Sequence, residues 1–163
     1  MRLFYLILAG LVLIIDQATK FLIASRFDEF TIVPVIPGFF QLVRVENRGM
    51  AFGILSDSSS TPVFVLLIAV SLVALAVVTY LLLKSPIASA STTTGLALIL
   101  GGAAGNLVDR VARGKVIDFM DFYYGSFHWH VFNVADVAIV LGATLLLLDL
   151  LRSRNQDSVE APD

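Results

Sequence analysis

The sequence predicts an all-α polytopic membrane protein with four transmembrane helices. Of its 163 residues, 58% are apolar and only 15% are charged, and the mean hydropathy is +0.89. Soluble domains contain about 45–50% apolar and about 25% charged residues, so this chain has too few polar side chains to cover a surface in water. Apolar stretches close to the roughly 20 residues needed to cross a bilayer recur four times.

The apolar runs place the spans at about residues 3–24, 62–83, 92–112 and 132–151. The second span is free of charge from residue 63 to 83, and the third is rich in Gly and Ala, which allows helices to pack closely. The first is interrupted by Asp16 and Lys20. A cleaved signal peptide is the alternative for this segment, but the apolar pattern resumes after Lys20 and no clean cleavage site follows.

Four spans place both termini on one side of the membrane. Lysine and arginine occur on both sides, so the positive-inside rule does not set the orientation. Between about residues 30 and 55, Pro34, Pro37 and Gly38 separate short β-rich runs, and we expect a small sheet on the membrane surface. Residues 1–152 are expected to form a single membrane-embedded domain, and the polar tail, 153–163, is expected to be disordered.

Composition also excludes several kinds of site. The formal net charge of −2 lacks the basic excess typical of nucleic-acid binding, and the absence of cysteine excludes disulfides, thiolate metal sites and a cysteine nucleophile. His128 and His130 lie on an extended segment with an aspartate nearby, and a metal site there is the minor alternative. No serine lies in a glycine-flanked elbow. We expect no nucleic-acid partner, metal or cofactor.

Polar side chains within the spans gather near the end opposite the termini. Each ionisable group inside a membrane costs about 2.5–3.5 kcal/mol on insertion scales, so each is a candidate functional residue. The side chains of this layer are Asp16, Lys20, Asn106, Asp109, Arg110 and Asp136. Their positions predict one polar layer near one membrane interface.

Structural roles explain several of these residues. Asp16 and Lys20 have the i,i+4 spacing of a helical ion pair, which lowers the cost of insertion. Asn106, Asp109 and Arg110 share one helical face. An Asp–Arg pair there is most simply structural, although Arg110 is equally suited to hold a substrate carbonyl or a lipid phosphate.

The remaining acids permit catalytic chemistry. Asn133 and Asp136 have the spacing of a helix N-cap followed by an acid at the third helical position. Asp118 and Asp121 lie in an apolar stretch where solvated loop acids would be unremarkable. Asp118 and Asp121 lie before one short connection and Asp136 lies after it. Asp136 can therefore meet one of the other two carboxylates and share a proton with it, as in aspartic proteases. The residues alone do not choose between Asp118 and Asp121.

Five motifs occur in a characteristic order: DQATK at 16–20, ENRGMAFG at 46–53, GNLVDR at 105–110, GKVIDF at 114–119 and FNVAD at 132–136. Their order, on a four-span chain of this length, resembles the bacterial lipoprotein signal peptidases, signal peptidase II. The resemblance covers almost the whole chain except the polar tail.

This resemblance implies an aspartic endopeptidase of the bacterial cytoplasmic (inner) membrane. Its substrates would be diacylglyceryl-modified prolipoproteins, cut on the N-terminal side of the lipid-modified cysteine. It further implies a small β-cradle on the outer membrane surface, cytoplasmic termini and an active site near the outer leaflet. The implied partners are the diacylated prolipoprotein and membrane lipid, with a monomeric protein and no cofactor.

The resemblance also assigns residues. The pattern Gly-x-Val-x-Asp-Phe selects Asp118 over Asp121, so the implied catalytic pair is Asp118 and Asp136. The supporting residues that it implies are Asp16, Lys20, Asn47, Arg48, Gly49, Asn106, Asp109, Arg110 and Asn133. Met50 departs from the Ala that many relatives carry, which affects the expectation of fine substrate preference.

Two other classes of function are compatible with the same polar layer. A small transporter would use the buried aspartates as proton relays. A non-catalytic lipoprotein-binding or assembly factor would keep its function when Asp118 and Asp136 are both replaced by Asn.

Overall fold

Four long helices form the body of the protein. A computed structural model describes residues 2–49, 61–84 and 89–159, with side chains as far as residue 153. The helices are α1 (Arg2–Arg26), α2 (Thr61–Lys84), α3 (Ala90–Arg113) and α4 (Val134–Val159). All four are long and apolar enough to cross a membrane. Together with the small sheet described below they confirm the predicted fold class.

Helix α3 is the centre of the bundle and contacts each of the other three helices. Its glycines make this possible because they let neighbouring backbones approach closely. A Cβ atom added at Gly102 would lie 2.4 Å from the Ala135 carbonyl oxygen of α4, and one added at Gly105 would lie 2.4 Å from Asp16 Oδ2 of α1. The Gly- and Ala-rich composition of this span therefore brings α1 and α4 against α3.

A four-stranded antiparallel sheet lies at one end of the bundle. Its strands, in spatial order, are β1 (Val33–Ile36), β2 (Phe40–Asn47), β3 (Val116–Tyr124) and β4 (Phe127–His128). The sheet was predicted from residues 30–55 alone, and β3 and β4 were missed. Strand β3 is buried at most positions on both faces, so it lacks the alternation of polar and apolar residues that identifies a surface strand.

The sheet is fixed to the end of α1. Ile23 of α1 packs with Ile117 and Phe119 of β3 in a buried apolar cluster. Arg44 of β2 donates hydrogen bonds from Nη1 to the carbonyl oxygens of Ala24, at 3.1 Å, and Phe27, at 2.8 Å. These carbonyls lie at the C-terminal end of α1, where helix backbone oxygens lack partners. The arginine therefore joins the sheet to the helix.

The chain returns along β3 before α4 begins. The Trp129 amide donates to the Phe122 carbonyl at 2.7 Å, and Phe132 exchanges backbone hydrogen bonds with Met120 at 2.8 and 3.1 Å. This return places the first turn of α4 beside the middle of β3. It explains how residues near 118 and 136 come to lie at one site.

The C-terminal expectation was partly wrong. Helix α4 continues through Val159, whereas residues from 153 onward were expected to be disordered. The segment 152–159 contains no Gly or Pro, so nothing in it stops the helix. Residues 160–163 lie outside the described part of the chain.

Candidate active site

A cavity of about 360 Å³ lies between the returning segment and α4. Asp118 of β3 and Asp136 of α4 both face it, together with Asn47 of β2 and His130. Its remaining wall is apolar and consists of Trp129, Val131, Phe132, Val137, Val140 and Leu141. Two carboxylates thus meet at the polar end of a largely apolar cavity.

Asp118 is buried and bound through both oxygens. Asn47 Nδ2 donates to its Oδ2 at 3.0 Å, and Asn133 Nδ2 donates to its Oδ1 at 2.6 Å. Burial first, and then the charge of Asp136, raises the pKa of Asp118 from 3.8 to about 6, against the opposing effect of the two asparagine hydrogen bonds. This carboxyl group therefore keeps its proton to a higher pH than an ordinary aspartate does.

Asp136 both caps α4 and faces the cavity. Its amide donates to Asn133 Oδ1 at 3.0 Å, and its Oδ2 accepts from the Asn133 amide at 3.3 Å. This reciprocal arrangement is a capping box and confirms the cap predicted from the spacing of the two residues. Its other oxygen, Oδ1, accepts from Asn106 Nδ2 at 2.8 Å.

Two asparagine amides connect the carboxylates. Asn133 Nδ2, which binds Asp118, also donates to Asn106 Oδ1 at 3.2 Å. Asn106 in turn donates to Asp136. The chain of contacts runs from β3 through both amides to α4, so the position of each carboxylate depends on the other.

A buried ion cluster, formed by Lys20, Asp16 and Asp109, lies beside this network. Lys20 Nζ lies 2.9 Å from Asp16 Oδ2 and 3.0 Å from Asp109 Oδ2, and all three side chains are fully buried. The predicted Asp16–Lys20 ion pair is therefore confirmed. Lys20 also donates to Asn106 Oδ1 at 2.8 Å, which joins the cluster to the carboxylate site.

The arginine partner of Asp109 differs from the expectation. Asp109 pairs with Arg113, one turn along α3, and not with Arg110. Arg110 instead donates to the carbonyl oxygens of Asn106 and Gly49, each at 3.3 Å. The i,i+4 spacing of Asp109 and Arg113 was a usable signal for this pair. Arg110 thus joins α3 to the turn that follows β2.

Gln17 is a second residue that the sequence did not reveal. Its Nε2 donates to the Gly105 carbonyl at 3.1 Å and to Asp109 Oδ1 at 3.2 Å. It connects α1 to α3 beside the ion cluster. A glutamine next to an aspartate carries no pattern from which this contact follows.

The motif after β2 is only partly described. Asn47 Oδ1 accepts from the Gly49 amide at 2.9 Å, which shapes the turn while Nδ2 of the same side chain binds Asp118. Arg48 is exposed. Residues 50–60, including Met50, lie outside the described residues.

Asp121 occupies a separate environment from Asp118. It is buried, so the interpretation of both acids as solvated loop residues was wrong. Three residues along a strand reverse the side-chain direction, and Asp121 meets Gln41 Nε2 at 2.7 Å and His128 Nδ1 at 2.8 Å instead of the cavity. Geometry thus separates the two acids that the residue pattern alone could not distinguish.

Among the described residues, neither histidine belongs to a group that could hold a metal ion. Across residues 2–49, 61–84 and 89–159, no group of three or more His, Cys, Asp or Glu side chains is arranged to hold a metal ion. His128 contacts Asp121, and His130 lines the cavity.

Comparison with known proteins identifies the family. The model of the family described as signal peptidase (SPase) II matches residues 8–152. The chain belongs to the signal peptidase II family. It is 47% identical over 148 residues to a lipoprotein signal peptidase of Solibacter usitatus, with 91% of this chain and 90% of the relative covered. The corresponding protein of Syntrophus aciditrophicus is 42% identical, with 94% and 96% covered.

A solved structure shares the fold of this chain. A bacterial membrane enzyme superposes with a TM-score of 0.84 at 28% identity, covering 98% of this chain and 94% of that one. Membership of the signal peptidase II family makes this chain a multi-pass membrane peptidase.

Proposed function

We propose that this protein is an aspartic endopeptidase in which Asp118 and Asp136 are the catalytic pair. The observation that carries the proposal is that β3 and α4 present these two carboxylates to one cavity, joined through Asn133 and Asn106. Neighbouring carboxylates in a poorly solvated site favour a state that shares one proton. That state supplies a base and an acid at the same time.

The reaction follows from this shared proton. The ionised carboxylate removes a proton from a water molecule, whose oxygen attacks the scissile carbonyl carbon. The protonated carboxyl group gives its proton to the carbonyl oxygen, so a neutral tetrahedral diol forms. The carbon–nitrogen bond then breaks as the amine nitrogen receives a proton, and the products are a carboxylic acid and an amine.

The cavity wall supports a lipid-modified substrate. Val140 and Leu141 line the cavity and are 58% and 53% exposed on a membrane-spanning helix, so the cavity opens toward the lipid. An acyl chain can therefore remain in the bilayer while the peptide reaches the carboxylates. We propose diacylglyceryl-modified prolipoproteins as substrates, cleaved on the N-terminal side of the modified cysteine.

The fold also supports an orientation. The sheet and both carboxylates lie at the ends of α1 and α3 and at the beginning of α4, opposite the termini. A site that acts on an exported lipoprotein must face the outer side of the cytoplasmic membrane. We propose cytoplasmic termini, a monomeric enzyme and an outer-leaflet active site, without a cofactor.

Several residues are proposed to support the pair. Asn47 and Asn133 bind Asp118 directly, and Asn106 binds Asp136. Arg110 holds the Gly49 carbonyl and so the turn that carries Asn47. Arg48 is proposed to contact the peptide, in keeping with its exposed position at the end of β2.

The proposal is tested with purified protein in detergent and a synthetic lipobox peptide carrying a diacylglyceryl cysteine. We expect one cut directly before the modified cysteine, identified by the masses of both products, and undiminished activity with a chelator present. A matched peptide with an unmodified cysteine should be cut far more slowly. No cleavage of the diacylated peptide, or cleavage abolished by the chelator, would overturn the proposed mechanism.

A further inference from the structure

Lys20 has a hydrogen bond that charge neutralisation does not require. It is fully buried between Asp16 and Asp109, and Arg113 pairs with the remaining oxygen of Asp109. Two acids and two bases therefore balance without any further contact. The third donor of the Lys20 ammonium nevertheless points to Asn106 Oδ1 at 2.8 Å.

This contact determines which way the Asn106 amide faces. An ammonium group only donates hydrogen bonds, so the amide oxygen must face Lys20. Asn133 Nδ2 donates to the same oxygen at 3.2 Å. The amide nitrogen is consequently directed at Asp136 Oδ1, 2.8 Å away. A reversed amide would set Nδ2 against two donors and leave Asp136 facing an oxygen.

We propose that Lys20 is a positioning residue for Asp136, acting by fixing the orientation of the Asn106 amide. The inference rests on the proposed function and deepens it, since Lys20 is fully buried and does not line the cavity. Without Lys20, the amide oxygen of Asn106 is held only by the longer hydrogen bond from Asn133 Nδ2, at 3.2 Å, so its orientation is less firmly fixed. A hydrogen bond to a charged group contributes about 1.5–3 kcal/mol, which corresponds to roughly a 10- to 150-fold change in rate.

The test must remove the donor without stranding a charge. Lys20→Met alone leaves Asp16 unpaired, so it is combined with Asp16→Asn, which keeps the net charge of the cluster unchanged. Asn at position 16 still offers an oxygen to the Ala135 amide, which Asp16 Oδ1 accepts at 2.9 Å. The matched partner is Asp16→Asn/Lys20→Gln, because Gln is close to Met in size but carries an amide donor.

We expect the kcat of Asp16→Asn/Lys20→Met to fall by about 10- to 100-fold while KM stays within about twofold, because the cavity wall is unchanged. Asp16→Asn/Lys20→Gln should recover at least part of the lost kcat. The matched control is Asp149→Asn. Asp149 joins α4 to α3 through Ser89 and Thr92, at 2.8 and 2.6 Å, at the opposite end of the bundle. The Asp149→Asn variant should keep the wild-type kcat even if its Tm falls.

A second variant tests the same hydrogen bond if Asp16→Asn/Lys20→Met does not fold. Asn106→Asp retains an oxygen for Lys20 but has no donor for Asp136, so its kcat should also fall about 10- to 100-fold with KM unchanged. Wild-type kcat in Asn106→Asp, or in folded Asp16→Asn/Lys20→Met, would overturn the inference. An equal loss of kcat in Asp16→Asn/Lys20→Met and Asp16→Asn/Lys20→Gln would overturn it as well.

Failure of the proposed function would look different. Wild-type protein that does not cleave the diacylated peptide, or an Asp118→Asn variant with full activity, contradicts the catalytic assignment itself. A wild-type enzyme that depends on Asp118 and Asp136 but not on the Lys20 contact contradicts only the positioning role.

Discussion

At the scale of single residues, Asp136 shows how one side chain meets two requirements. One oxygen closes the capping box with Asn133, and the other binds Asn106. The helix start therefore holds the carboxylate at the cavity without an additional element. The spacing of Asn133 and Asp136 predicted the cap but not the cavity, because a cap is local in sequence whereas the cavity also needs residues of β2 and β3.

The burial of Asp118 predicts a stability that depends on pH. Its pKa is about 6 in the folded protein against 3.8 for an ordinary aspartate. Between about pH 4 and pH 6, the folded state keeps a proton that the unfolded chain has released, so the folded state loses stability as the pH rises. The difference between 3.8 and about 6 corresponds to about 3 kcal/mol.

Asp118→Asn removes this titration. The Tm of the variant relative to wild type should rise from pH 4 to about pH 6 and remain level above it, as measured by thermal unfolding in detergent at a fixed scan rate. A difference that does not change between pH 4 and pH 8 would contradict the buried, proton-holding state of Asp118.

At the scale of elements, the strands show what a local pattern misses. Proline and glycine correctly predicted where β1 and β2 lie. Strand β3 is largely buried on both faces, so its sequence lacks the alternation of polar and apolar residues that would have predicted a strand. Its partners are far along the chain, since Val45 of β2 pairs with Asp118. The resemblance to a family selected Asp118, and only the strand geometry supplies a physical reason for separating it from Asp121.

The glycines of α3 predict a specific packing defect. Gly102→Ala would place a methyl group 2.4 Å from the Ala135 carbonyl oxygen, and a backbone atom cannot move aside as a side chain can. Forced overpacking costs about 1–3 kcal/mol, so the Tm should fall by several degrees. Gly10→Ala is the matched control, because its added Cβ would meet nothing within 4 Å beyond its own chain neighbours and the adjacent backbone of α1. Equal Tm values for the two variants would refute the close α3–α4 packing.

At the scale of the whole molecule, the proposed orientation is open to a direct labelling experiment. The chain contains no cysteine, so a single introduced cysteine reports one position. Tyr124 is 83% exposed on the sheet, and Ser153 is exposed near the opposite end of the bundle. In spheroplasts of a bacterial host, a membrane-impermeant maleimide should label Tyr124→Cys at once and Ser153→Cys only after the membrane is permeabilised. The reverse pattern would contradict the orientation.

The few charged residues within the spans are paired with one another or hydrogen-bonded. Apart from Asp121, the buried acids and bases form one connected network that runs from the Lys20 cluster through Asn106 and Asn133 to the two carboxylates. The sequence predicted a single polar layer because its members share one end of the spans. Partners on different helices, such as Asp109 for Lys20, depend on helix rotation, which the charge pattern does not determine.

The most direct test of the catalytic pair is the rate of peptide cleavage by three single variants that each replace one aspartate with asparagine. Asp118→Asn and Asp136→Asn should each lower kcat by at least about 1,000-fold, because a lone carboxyl group cannot act as acid and base together. Asp121→Asn, on the same strand as Asp118 but away from the cavity, should retain kcat within a fewfold of wild type. Full activity in Asp118→Asn or Asp136→Asn would contradict the assignment.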